Sequence, residues 1–222
     1  INCHIINLMI NKLSPPPKFL IERYRKWKSS KYLKNEEQLR KLAFSGQSPS
    51  TIIISCCDSR IHATSIFGAN EGEFFIHRNI ANLVPPYSPD GENHGTSAAI
   101  EYAIKELRVH HLIILGHKDC GGIKYGHDIH SNLVNPNYEF INKWLSILLP
   151  AFDIIQKNVS EQEQINQLEQ ESIKVSINNL FSFPFIKKAI DENNLLIHGL
   201  IHDIGSGNLQ YLNPVTDNFE NF

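Results

Sequence analysis

Three side chains of soft, metal-binding type stand where a fold can gather them. Cys56 follows a β-branched run, TIIIS (51–55), His117 follows a second run, HLIILG (111–116), and Cys120 comes three residues later. Two thiolates and one imidazole make a soft tetrahedral donor set that suits zinc. Three protein donors leave the fourth position open for water, as in catalytic rather than structural zinc sites. Spacing alone also admits a plainer account, a core cysteine beside a chance histidine–cysteine pair. The glycine-rich stretch 116–122 lacks the Lys-Ser/Thr of a phosphate loop and the spacing of a dinucleotide fingerprint, so nucleotide binding is not indicated.

The residues after Cys56 add chemistry. Asp58 and Arg60 are two apart, and a planar guanidinium can hold both oxygens of a carboxylate. A carboxylate at this place can bind the metal and close the site, or accept a hydrogen bond from the nucleophile; Arg60 favours the second by engaging Asp58. An ordinary loop ion pair is the alternative. Cys57 is expected to point away from Cys56 as a buried thiol, and Cys3 has no visible partner.

The elements that must position these groups alternate. Runs at 51–55, 73–77 (EFFIH), 111–116 and 195–201 (LLIHGLI) read as strands, the first continuous enough to be buried on both faces. Helical segments are expected at 95–107, 138–149, 161–178 and 184–192, the polar stretch 161–171 as a surface helix. This predicts an α/β fold, a mainly parallel sheet flanked by helices. In such sheets ligand sites form beyond the carboxyl ends of strands, where Cys56 and His117 stand. The triple proline 15–17 sets off a tail, 1–17, from a single domain, 18–222, that opens with a helical arm at about 18–45.

Composition narrows the function classes. Charged residues are 20% of 222 and the net charge is −2, so no whole-chain field points to nucleic acid or an anionic membrane. The arm is basic in its first half (Lys18, Arg23, Arg25, Lys26, Lys28, Lys31 and Lys34), but no second basic patch supports a nucleic-acid interface. No run reaches the roughly 20 apolar residues of a membrane span. The run 5–10 is short, broken by Asn7 and preceded by no basic residue, so no signal peptide is expected. Four cysteines, two of them adjacent, suit reduced thiols in a cytoplasm better than a disulfide framework.

With these residues in view, the chain resembles the β-class carbonic anhydrases, in their plant-like, glutamine-containing subclass. The matching stretches are SCCDSR (55–60), EGEFFIHRNIANLVPP (71–86), GTSAAIEYAIKELRV (95–109) and GHKDCGGI (116–123), with weaker matches at 179–190 and 195–209. The resemblance implies Cys56, His117 and Cys120 as ligands of one zinc ion, and Asp58 and Arg60 as a catalytic dyad. It implies Gln47 as a substrate-binding amide, Phe75, Ile80 and Tyr102 as an apolar pocket, and Gly121 as the source of a backbone N–H facing the substrate. Three departures stand out: Cys57 where the family often has a small residue, a longer loop at 87–94, and no tryptophan near the last strand. Ile53 stands where the other subclass carries a tryptophan, so its regulatory bicarbonate pocket is not expected.

The implied reaction is reversible hydration of carbon dioxide to bicarbonate and a proton by hydroxide on zinc. Two thiolates cancel the formal charge of the metal, so its water should be less acidic than at an all-histidine site and activity should lean alkaline. The resemblance also implies self-association as a dimer or tetramer, with pockets drawing on two subunits. Two other readings use the same residues: a carbon disulfide or carbonyl sulfide hydrolase of the same fold, and a non-catalytic zinc module that binds a partner.

Overall fold

The computed structural model describes residues 13–90, 92–135 and 137–222. The tail expected at 1–17 therefore lies mostly outside the described residues, as does Cys3. The chain divides into two compact units, at Gln47 and Ser48.

The N-terminal unit holds α1 (Lys18–Trp27), a wider π-helical turn (Lys28–Tyr32) and α2 (Glu36–Ser45). The single helix read from sequence is thus interrupted. The loose turn carries Ser29 and Ser30, whose hydroxyls bond back to the Lys26 carbonyl and compete with the helix ladder. Phe19, Leu20, Tyr24, Trp27 and Leu33 remain largely exposed.

The second unit is built on one sheet. Its strands are β1 (Thr51–Cys56), β2 (Phe74–Asn79), β3 (His111–His117), β4 (Leu196–His202), β5 (Leu209–Leu212) and β6 (Phe219–Asn221), in the order β2-β1-β3-β4-β5-β6. The first four are parallel and the last two add as an antiparallel ribbon. The ribbon was not expected from sequence, because its strands are short, half-buried and mixed in polarity. Between the strands lie α3 (Ala63–Ile66), α4 (Gly95–Lys105), α5 (Gly121–His130), α6 (Ile141–Leu145), α7 (Leu149–Ile154), α8 (Glu161–Leu180) and α9 (Pro184–Asp191).

Every residue of β1 is buried, as its unbroken β-branched run predicts. Ile52, Ile53 and Ile54 are wholly covered, each worth roughly 1.5–3 kcal/mol relative to exposure. One face packs on α4, α8 and α9 through Ile100, Ala103, Ile173, Leu180 and Ile186. A second apolar cluster, with Leu83, Ile123, Leu145, Leu148 and Leu168, includes Cys56 and Cys120 themselves.

The expectation of a surface helix at 161–171 needs correction. Ser160 caps α8 by accepting the Glu163 N–H, and the first turn is exposed. From Ile165 onward one stripe (Ile165, Leu168, Glu169, Ser172, Ile173, Ser176) is buried against the sheet. A buried acid and two buried serines made that stripe look solvated in the sequence.

Candidate metal centre

The β1–β3 register pairs Ser55 with Leu115. Cys56 and His117 therefore emerge together at the carboxyl ends of neighbouring strands. The chain then turns through Asp119, at a left-handed φ of 56°, and brings Cys120 back as the residue capping α5. The Cys56 and Cys120 sulfurs, with a ring nitrogen of His117, lie within 4.8 Å of one another, and all three residues are buried.

This donor set fits zinc. The two sulfurs are 3.9 Å apart, close to the edge of about 3.8 Å that a tetrahedron with 2.3 Å Zn–S bonds requires. His117 Nδ1 lies 2.9 Å from the Lys118 carbonyl, which only accepts, so Nδ1 donates. That leaves Nε2 as the free lone pair; it is buried and has no hydrogen-bond partner. A second-sphere carbonyl fixing the tautomer of a histidine is the usual support for a metal ligand.

Backbone dipoles favour negative sulfur here. The Asp58 N–H lies 3.4 Å from Cys56 Sγ, and the amides of Gly122 and Ile123, in the first turn of α5, face Cys120. The Cys120 thiol, donating to Cys56, holds Cys56 far below the ordinary thiol range, with His117 and nearby amides assisting. The neighbouring thiolate and burial push Cys120 up in turn. Burial opposes a charge on His117, but Cys56, the Lys118 carbonyl and Asp58 outweigh it and raise its pKa.

Asp58 and Arg60 form the two-pronged pair the spacing suggests. Arg60 Nε donates to Asp58 Oδ1 at 3.0 Å and Nη2 to Oδ2 at 2.8 Å. The Arg60 backbone N–H adds a third bond to Oδ1 at 2.9 Å. Arg60 thereby holds the Asp58 carboxyl well below the usual carboxylate range. Asp58 Oδ2 sits 3.9 Å from His117 Nε2, beside the open side of the donor set. Arg60 Nη2 also reaches the Asp119 carbonyl at 3.0 Å, tying the dyad to the turn before Cys120.

Other expected residues fall in three groups. Gly121 opens α5, where a first-turn N–H has no helical acceptor. Ile80 packs over the same turn: a Cβ on Gly122 would meet Ile80 Cγ2 at 2.9 Å. Phe75 and Tyr102 form their own pair, ring centroids 5.8 Å apart. Phe75 is level with Ile52, four residues and about 13 Å along the strand from the level of Cys56. Gln47 belongs to the N-terminal unit. Cys57 is exposed, not buried as expected, because β1 ends at Cys56 and the chain turns outward.

Two supporting residues had no role assigned from sequence. Arg78 of β2 donates to the carbonyls of Cys56, Asp58 and Ile61. Glu169 of α8 accepts the Cys120 N–H at 2.8 Å. A lone arginine inside EFFIHRN was a visible signal for the first. Glu169 gave none, one acid among many on a polar helix.

A mainly parallel α/β sheet carrying a buried Cys–His–Cys cluster beside an arginine-clamped aspartate is the architecture of an α/β protein able to hold a metal ion next to an ionised acid. Comparison with known proteins gives the family. The carbonic anhydrase family model matches residues 51–209. β-Carbonic anhydrase 3 of Arabidopsis thaliana is 38% identical over 184 residues, 82% of this chain and 70% of that one. The solved β-carbonic anhydrase CcaA is 25% identical with a TM-score of 0.80, over 92% of this chain and 91% of that one. A tetrameric β-carbonic anhydrase of Sordaria macrospora is 32% identical with a TM-score of 0.73, over 87% and 95%. The chain belongs to the β-class carbonic anhydrases, and the enzyme is a lyase.

Proposed function

We propose that the chain hydrates carbon dioxide reversibly to bicarbonate and a proton, with one zinc ion held by Cys56, His117 and Cys120. The observation that carries this reading is the buried, partnerless Nε2 of His117 facing two sulfurs at tetrahedral separation, with a clamped carboxylate alongside. When bound, zinc acidifies a water molecule and so supplies the nucleophile.

The protein does the rest by positioning. Asp58, kept ionised by Arg60, is acceptor-only and orients the nucleophile through its hydrogen. The Gly121 N–H donates to a substrate oxygen, and Ile80 supplies an apolar wall beside it. Gln47 takes the substrate-binding role that the resemblance implies. The Phe75–Tyr102 pair supports a pocket shared between subunits: Tyr102 is 47% exposed, and in its own chain the pair lies well down the sheet from Cys56. The functional unit is then a dimer, alone or within a tetramer, the Sordaria relative being tetrameric. No described helix is long and apolar enough to cross a membrane, and the exposed thiol of Cys57 suits the reducing cytoplasm.

Stopped-flow hydration of carbon dioxide on zinc-quantified protein tests the proposal. Turnover proportional to zinc content supports it. Hydrolysis of carbon disulfide or carbonyl sulfide without hydration, or zinc binding without turnover, would replace it with one of the two other readings.

A further inference from the structure

We infer that Arg78 and Glu169 are positioning residues, one for each thiol-bearing turn of the metal centre, and that they hold the two sulfurs at their separation. The inference rests on the zinc assignment above. Neither residue touches the donor atoms; each acts through the backbone of a ligand turn.

Arg78 stands on β2, one residue before Asn79, which is level with Cys56. Its Nε donates to the Cys56 carbonyl at 2.9 Å, and its Nη2 to the carbonyls of Asp58 at 2.7 Å and Ile61 at 2.9 Å. Residues 57–62 form no helix or strand, so beyond the end of β1 at Cys56 the segment has no ladder, and the Asp58 carbonyl accepts one turn bond, from the Ile61 N–H at 3.0 Å. One rigid fork thus pins the start, middle and end of the segment carrying Cys56, Asp58 and Arg60. A lysine has a single donor centre and cannot span three acceptors in that geometry.

Glu169 treats the second turn with opposite polarity. It lies in the buried stripe of α8, 2% exposed, between Leu168 and Ser172. An acid there is costly to bury unless its partner is specific. Its partner is the Cys120 N–H at 2.8 Å; Oε2 has no partner. The bond comes from a helix distant in sequence, and it fixes the residue that follows Asp119 in its left-handed conformation. So a cation gripping carbonyls sets the Cys56 turn, and an acid gripping an amide sets the Cys120 turn. Between them stand sulfurs 3.9 Å apart.

The test compares the wild type with Arg78→Lys, Glu169→Gln and Glu169→Ala. Three readouts are used: zinc transfer to a chromogenic chelator, the visible bands of the cobalt-substituted protein, and the thermal midpoint. Removing support behind a metal ligand typically costs 10–100-fold in affinity. Arg78→Lys and Glu169→Ala should therefore release zinc at least about tenfold faster, with shifted cobalt bands. Glu169→Gln keeps an oxygen that accepts from Cys120 and should stay within about twofold of the wild type. If Glu169→Ala does not fold, the Gln and Lys variants decide. Wild-type release and cobalt bands in Arg78→Lys would overturn the inference, whatever happens to its midpoint. So would a Glu169→Gln variant that loses zinc about tenfold faster than the wild type. A wild-type protein that takes up neither zinc nor cobalt would instead overturn the zinc assignment.

Discussion

Gly116 precedes His117 at the end of β3, and the close approach of α8 depends on its missing side chain. A Cβ built there would sit 2.7 Å from Cδ1 and 3.1 Å from Cγ1 of Ile173. Ile173 is fully buried and β-branched, with no room to swing aside. Gly116→Ala should gain about 0.5 kcal/mol by restricting the unfolded chain. It should lose about 2 kcal/mol to overpacking, for a net destabilisation of roughly 1.5 kcal/mol. Ile173→Val, which deletes the clashing methyl, should cost about 1 kcal/mol alone. Together the new Cβ occupies part of the space the methyl leaves. The double variant should then lose no more than about 0.5 kcal/mol, against roughly 2.5 for the sum, a coupling of about 2 kcal/mol. Urea midpoints at constant m-value measure this, with chelator present so that metal binding does not contribute. Gly116→Ala alone should also lower zinc affinity, because it displaces the strand end bearing His117, and Ile173→Val should restore it. Strictly additive costs would refute the contact argument. Coupled stability with unchanged zinc affinity would detach it from the metal centre.

Elemental analysis should find about one zinc per chain, lost in Cys120→Ser and His117→Ala and retained in Cys57→Ser, whose exposed thiol is not among the clustered donors. Arg60→Ala should keep zinc yet hydrate carbon dioxide on the order of 100-fold more slowly, because Asp58 is freed to compete for the metal; wild-type rates there would reduce the dyad to a structural ion pair. The lowered Asp58 pKa makes a pH claim with a definite sign: the stabilisation from the ionised pair is complete above the ordinary carboxylate range and is lost only as pH falls through the still lower folded value. Asp58 therefore stays charged at and above the ordinary carboxylate range. Activity should still rise with pH, through the nucleophile, and Asp58→Asn should lower the pH–rate curve without moving its acid limb; a moved limb would show that Asp58 itself titrates there. Deleting residues 1–13 should be nearly silent, whereas deletion through Phe44 should dissociate or aggregate the protein in light scattering, since it removes the exposed aromatics of the arm.

The legible parts of this chain are those where one physical demand acts on neighbouring residues. A strand covered on both faces demands apolar residues in succession, so β1 and β3 could be placed from TIIIS and HLIILG almost to the residue. A metal demands donors at a strand end, and Cys56 and His117 stood directly after those runs, with Cys120 three residues further on. Legibility fails where the demand comes from across the fold. Glu169 is 49 residues from Cys120, and nothing local separates it from Glu161, Glu163 and Glu171, which face water or surface lysines. Cys57 was misjudged for a related reason: alternation along a strand presumes that the strand continues, and its end was set by the turn that Arg78 pins from the neighbouring strand. The donors that the fold gathers were therefore readable, whereas of the two residues that hold their turns only Arg78 left a local trace. A ligand is recognised by its own side chain, whereas a positioning residue is recognised only by the backbone it reaches. The same asymmetry makes Glu169 the sharper test of the metal centre, because nothing local in its sequence would have put it beside Cys120.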